Sequence, residues 1–244
     1  MVIRQPFNYS PRNQNRNLHI YLPNDYDHSE ERYPVMYFFD GHNLFRDSDA
    51  TYGKCWGLEG FLDGWQKKMI VVGMECGHEG RERLDEYCPY DVRGGYMGQI
   101  HGMGKETMDG IVREVKPWVD GNFRTYPFRE ATGIAGSSMG GLMAIYGAAR
   151  YNAYFSKAAC LSSAIRLCRK QLLSEIREID PDTRVYLSWG TEESKMVGKM
   201  NATALANREI AEGFWKKHAM ATLYCQEGGR HCEADWEKQV PGFM

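Results

Sequence analysis

The residues Gly136-Ser137-Ser138-Met139-Gly140 form a G-x-S-x-G with Ser138 at its centre. In that pattern a strand runs into a tight turn and a helix follows. The central serine is held in a strained backbone so that its hydroxyl stands clear to attack an acyl carbon. Glycines two before and two after leave room for that backbone and for close helix–strand packing. Ser137 fails the register, because its flanking positions are Ala135 and Met139. The bland alternative is a glycine-rich turn with a helix-capping serine. A phosphate cradle fits less well, since no Walker lysine follows and no G-x-G-x-x-G is present.

A serine hydroxyl is a weak nucleophile at neutral pH. It needs a general base, and the base needs an acid to orient it. In a strand–turn–helix setting the chain order is serine, then Asp or Glu, then histidine, each after a later strand. Only His218 and His231 follow Ser138. His218 lies in "FWKKHAM", which reads as a solvated helix end. His231 follows the strand "ATLYCQ" and the loop "EGGR", where the base belongs. The preceding strand, "VYLSWG", is followed by "TEES", so Glu192 and Glu193 are the candidate acids. Asp180 and Asp182 precede that strand and fall at the wrong end of a parallel sheet. Glu192 and Glu193 could instead be a charge pair at a helix start.

These positions require an alternating βα chain, and the sequence reads as one. "NLHIYLP" (17–23) alternates like an edge or half-buried strand. "YPVMYFFDG" (33–41) and "KMIVVGME" (68–75) read as buried parallel strands. Residues 106–123 are amphipathic, with Ile111, Val112, Val115 and Val119 near one face and Gly121 a terminator. Strands are expected at 130–136, 155–163, 183–190 and 221–229, with helices at 138–151 and 202–218. This gives one α/β domain over 1–244, a doubly wound, mostly parallel sheet flanked by helices in three layers. Ligands of such sheets bind at the carboxyl ends of the strands.

Composition narrows the function further. A net charge of −2 points to neither nucleic acid nor an anionic membrane surface. No segment reaches the length of a transmembrane helix. The polar N-terminus has no apolar signal core, which points to the cytoplasm. The seven cysteines are odd in number, scattered, and without a C-x-x-C pair. Reduced, mostly buried thiols are therefore expected, with neither a disulfide framework nor a metal. Cys225, His231 and Cys232 come nearest to a metal cluster but lack ligand spacing. Oligomeric state is not legible.

Several motifs together carry a resemblance: "YPVMYFFDGHNLF", "MIVVGME" followed by "RLDEY", "VKPWVDGNFRT", "GIAGSSMGGLMA", "FSKAACLSSA", "YLSWGTEES" and "GGRHCEADW". Over residues 17–240 the chain resembles the putative esterase family of α/β-hydrolases, which includes enterochelin-esterase-like and feruloyl-esterase-like proteins. The resemblance implies acyl-ester chemistry by a Ser–Asp/Glu–His triad, without a cofactor. Ser138 matches the nucleophile and His231 the histidine of a Gly-Gly-x-His motif. The acid position two after Gly-Thr is Glu193, where the family more often has Asp, so Glu192 stays open. The oxyanion hole would take the Met139 amide and the amide after Asp-Gly, that of His42. His42 could equally be a loop residue without a role.

Asp40, Asn43, Trp56, Ser163 and Trp189 are candidate pocket walls because they lie at or after the carboxyl ends of strands. The loops 42–66 and 76–103 are aromatic-rich and could shape a site for a small or carbohydrate-linked ester. Arg81, Arg83 and Glu86 could bind an acidic substrate or simply be a solvated loop. Transfer of the acyl group to an alcohol, and a binding domain without turnover, are the alternatives to ester hydrolysis.

Overall fold

The computed structural model describes residues 1–93 and 98–244. Residues 94–97 of the 76–103 loop lie outside the described residues. The strands are β1 (Val2–Tyr9), β2 (Gln14–Tyr21), β3 (Val35–Phe39), β4 (Ile70–Met74), β5 (Val92–Arg93), β6 (Gln99–Ile100), β7 (Thr132–Ser137), β8 (Lys157–Leu161), β9 (Arg184–Gly190) and β10 (Met220–Gln226). Eight of them form one sheet in the order β1-β2-β4-β3-β7-β8-β9-β10, and β5 pairs with β6 in a small separate ribbon. From β4 to β10 the sheet is parallel, while β1 and β2 run antiparallel at one side.

The helices are α1 (Leu58–Gly64), α2 (Glu82–Glu86), α3 (Gly104–Gly110), α4 (Lys116–Asn122), α5 (Met139–Arg150), α6 (Arg169–Glu175), α7 (Val197–Trp215), α8 (Glu233–Glu237) and α9 (Val240–Phe243). A π-helical turn, Ile111–Val115, joins α3 to α4 without a break. The amphipathic segment read from 106–123 is thus a single helical rod with an underwound centre.

The three layers follow from strand alternation. In β3 the side chains of Val35, Tyr37 and Phe39 enter one hydrophobic cluster, with Leu142 and Met143 of α5 and Phe214 of α7. Met36 and Phe38 enter a second cluster, with Leu58 and Leu62 of α1 and Trp236 of α8. Successive strand residues point to opposite faces, so a strand with no polar member is covered on both sides. This is why "VMYFF" reads as a continuous apolar run.

Two elements differ from expectation for physical reasons. β2 is covered by β1 and so is not an edge strand. β1 itself carries Arg4, Gln5 and Asn8 as well as Pro6, all tolerated because it is the edge.

Candidate active site

β7 delivers Ser138 to the start of α5. Its backbone sits at φ 57°, ψ −118°, a region that costs an L-residue on the order of 1–3 kcal/mol. Three backbone hydrogen bonds hold it there. The Ser138 N–H donates to Leu161 O (2.9 Å), and its carbonyl accepts from Leu142 (3.1 Å) and Ala164 (2.9 Å). At roughly 0.5–1.5 kcal/mol each, they are enough to offset the strain. The glycine spacing has a steric cause. A Cβ on Gly136 would lie 2.7 Å from Gly140 C, and one on Gly140 would lie 2.9 Å from Phe39 Cβ. Ser138 is half-buried, whereas Ser137 is buried.

Glu193 and His231 meet after β9 and β10, which pair in parallel. His231 Nδ1 stands 3.4 Å from Glu193 Oε2. Glu193 Oε1 accepts the Gly190 N–H at 2.7 Å. Burial pushes the Glu193 carboxyl up, but hydrogen bonds from His231, Ser162 and the Gly190 amide outweigh it and hold the pKa below the ordinary value. The group therefore stays a carboxylate beside the imidazole. Trp236 packs edge-on against the His231 ring at 5.1 Å, which limits its swing. Glu192 is exposed and is tied only through its backbone, to Gly229 O. The structure thus puts Glu193, and not Glu192, against His231.

Ser138 and His231 line one cavity of about 420 Å³ at the carboxyl ends of the strands, with Asp40, His42 and Asn43 on its other side. Met139 is the first residue of α5, so its N–H has no intrahelical acceptor. His42 lies in a short 3₁₀ turn just after β3, behind Asp40 at φ 58°.

The structure separates the remaining pocket candidates. Asp40 and Asn43 line the cavity. Asp40 is locked in two hydrogen bonds to Arg83, at 2.7 and 2.8 Å, and Asn43 Oδ1 accepts the Thr51 N–H. Burial would raise the Asp40 carboxyl, but Arg83 holds it below its usual range.

Trp56 is not a pocket wall. It is 3% exposed and packs among Phe38, Trp236 and Phe243 in the core. Ser163 is buried beside Gly141, and Trp189 lies half-buried in β9 opposite Cys225; neither lines the cavity. Position alone misplaced these three: residues at or just after a strand end alternate between cavity and core, and the loop that carries Trp56 folds back onto Phe38 and Trp236.

Arg83 lines the cavity and Glu86 is buried, so the two are not a solvated loop. Arg83 neutralises Asp40, and the buried Glu86 pairs with Arg16 (2.7 Å) and accepts the Gly77 N–H. Arg81 donates to Gln99 O.

Residues that sequence reasoning passed over also line the cavity: Thr51, Tyr52, Cys76, His78, Glu233 and Trp236. Their only signal is position in a loop after a strand, shared with many residues that face elsewhere. Burial pushes the Glu233 carboxyl and the Cys76 thiol up and the His42 imidazolium down. All three groups therefore lean to their neutral forms. All seven cysteines are free, five of them buried.

This sheet, with its strand–serine–helix turn, defines an α/β serine hydrolase fold. An IroE-like serine hydrolase of Shewanella oneidensis superposes on it with a TM-score of 0.79 at 19% identity, covering 100% of this chain and 79% of that one. The chain belongs to the family described as "Putative esterase", whose model matches residues 10–243, and with that family to the carboxylic-ester hydrolases. An uncharacterised protein of Bacillus subtilis is 26% identical over 184 residues, 74% of this chain and 70% of the relative. An esterase of Mycobacterium tuberculosis is 29% identical over 157 residues, 64% of this chain, and the match spans 30% of that longer protein.

No helix among the described residues is long and apolar enough to cross a membrane.

Proposed function

We propose that the protein hydrolyses a small or carbohydrate-linked carboxylic ester through an acyl-enzyme, with Ser138 as nucleophile, His231 as base and Glu193 as the orienting acid. The observation that carries this reading is the strained Ser138 at φ 57°, in one cavity with a histidine whose Nδ1 faces a buried carboxylate.

Ser138 Oγ attacks the ester carbonyl carbon while His231 Nε2 takes its proton. The Met139 and His42 amides receive the charge that develops on the carbonyl oxygen. His231 returns the proton to the departing alkoxide, which leaves as the alcohol. Water then attacks the acyl-serine, with His231 as base, and the acid is released. Glu193 keeps the Nδ1–H tautomer facing itself and so leaves Nε2 free to accept. The 3.4 Å separation is loose, as is common before substrate binds.

The cavity is modest and its lining largely polar, which favours a short acyl group on a hydroxylated alcohol over a long fatty chain. The free thiols suit a reducing, cytoplasmic setting.

The test is hydrolysis of short p-nitrophenyl esters by wild type and Ser138→Ala, together with fluorophosphonate labelling. The reading requires wild-type turnover, and labelling that disappears in the variant. Equal rates, or an unlabelled and inactive wild type, would overturn it. A panel of acetylated and feruloylated sugars then addresses the alcohol.

A further inference from the structure

On the wall of the cavity away from His231, the loops after β3 and β4 bring together His42, Cys76 and His78. One ligand atom from each lies within 4.8 Å of the other two. The two strands are neighbours in the sheet, so these loops leave it side by side.

His42 is 7% exposed, and its Nε2 stands 2.9 Å from Thr51 Oγ1. Its other ring nitrogen, Nδ1, is buried and has no hydrogen-bond partner among the described residues. An unmet buried nitrogen is costly, so its retention calls for an explanation. A histidine with one ring nitrogen paired to a hydroxyl and the other bare has the arrangement of a metal ligand with its outer partner in place. Cys76 is 1% exposed, and the His78 ring lies 4.7 Å from that of His42 at 73°.

We propose that His42 Nδ1, the Cys76 thiolate and a ring nitrogen of His78 bind a divalent transition-metal ion of Zn²⁺ type, whose fourth position faces the Ser138 cavity. Two imidazoles and one thiolate form the mixed nitrogen–sulfur set that selects such ions over Mg²⁺ or Ca²⁺. Three protein ligands with an open fourth position is the arrangement of a site that also meets a small molecule. Binding displaces the Cys76 proton to solvent, and the thiolate then leaves the ion a single net positive charge. Asp40 lies beside the thiol and is paired with Arg83, and Glu233 lines the same cavity.

An ion held there occupies space that the ester needs and fixes the His42 turn. It is therefore an inhibitor of turnover, not a participant in it. This consequence rests on the esterase reading, whereas the binding does not.

The experiment titrates the chelator-washed full chain with Zn²⁺ alone by calorimetry and with Co²⁺ by absorbance. The expected result is one equivalent bound, with a thiolate-to-Co²⁺ charge-transfer band. Cys76→Ser removes the band, and His78→Gln, at an exposed position, weakens affinity at least about tenfold. Cys232→Ser keeps both. No binding, undiminished binding in Cys76→Ser and His78→Gln, or loss of the band in Cys232→Ser would overturn the site. In the ester assay, Zn²⁺ should inhibit wild type at lower concentration than His78→Gln. Binding without any inhibition would retain the site and remove its inhibitory role.

Discussion

Two clefts lie at opposite ends of the sheet. The one at the carboxyl ends is about 420 Å³ and is lined by Ser138, His231, His42, Cys76 and Glu233. The one toward the amino ends is larger, about 600 Å³, and is lined by Arg150, Glu175, Arg177, Glu178 and Asp180. Size alone would favour the second. Its side chains are long, charged and largely exposed, and pair loosely, as Arg150 does with Glu175 at 3.9 Å. Such surface pairs contribute little. The smaller cleft holds a strained serine, a histidine facing a carboxylate that hydrogen bonds keep ionised, and groups whose pKa values burial shifts. Chemistry follows the direction of the strands, because loops at their carboxyl ends converge above the point where the chain turns back through the sheet.

Substitutions test that contrast, beginning with the largest effect. Ser138→Ala should lower kcat/KM on a p-nitrophenyl ester by about 10⁴-fold or more. A loss of less than tenfold would place the chemistry elsewhere.

Glu193→Gln should cost about 10²–10⁴-fold, mostly in kcat, because the amide no longer fixes the His231 tautomer. Glu192→Gln should stay within about twofold. The reverse order of the two would overturn the assignment that the 3.4 Å contact supports.

A smaller effect concerns the carboxylates that brace this end. Glu75, just after β4, contacts His19 Nε2 at 2.7 Å and accepts hydrogen bonds from Asn17. Burial raises its carboxyl, but these partners outweigh it and lower the pKa from 4.5 to about 2. A folded-state pKa below the unfolded one means that ionised Glu75 stabilises the fold above about pH 4.5. That contribution is lost as pH falls toward 2. The urea midpoint of wild type should therefore drop more steeply across this window than that of Glu75→Gln. Parallel curves would show the contact to be inert.

The smallest effect belongs to the other cleft. Arg177→Ala should change kcat/KM less than about twofold and stability by less than about 0.5 kcal/mol. A large loss of activity would mean that the amino-end cleft shares in the reaction.

Much of the carboxyl-end site could be read from one dimension. Ser138 is marked by glycines whose absent Cβ atoms are a local steric requirement. His231 and Glu193 are marked by their positions after β10 and β9. β3 and β4 announce themselves because burial on both faces leaves them without a polar residue. β1 was not legible, since an edge strand with Arg4, Pro6 and Asn8 obtains its structure from pairing with β2. Ser163 and Trp189 were misplaced because position at a strand end does not say which face a side chain takes, and Trp56 because its loop folds back into the core.

By itself, then, the sequence determined the succession of the parallel strands, the serine turn, and the placing of Ser138, Glu193 and His231 after successive strands. All of these are set by local sterics and by the period of burial along the chain. Only the tertiary structure put Glu193 rather than Glu192 beside His231, turned Arg83 and Glu86 into ion partners of Asp40 and Arg16, and gathered His42, Cys76 and His78 on one wall. The reason is geometric. Loops after neighbouring strands meet in space at sequence separations that no local pattern encodes. A one-residue shift within such a loop moves a side chain from the cavity to the core or to solvent.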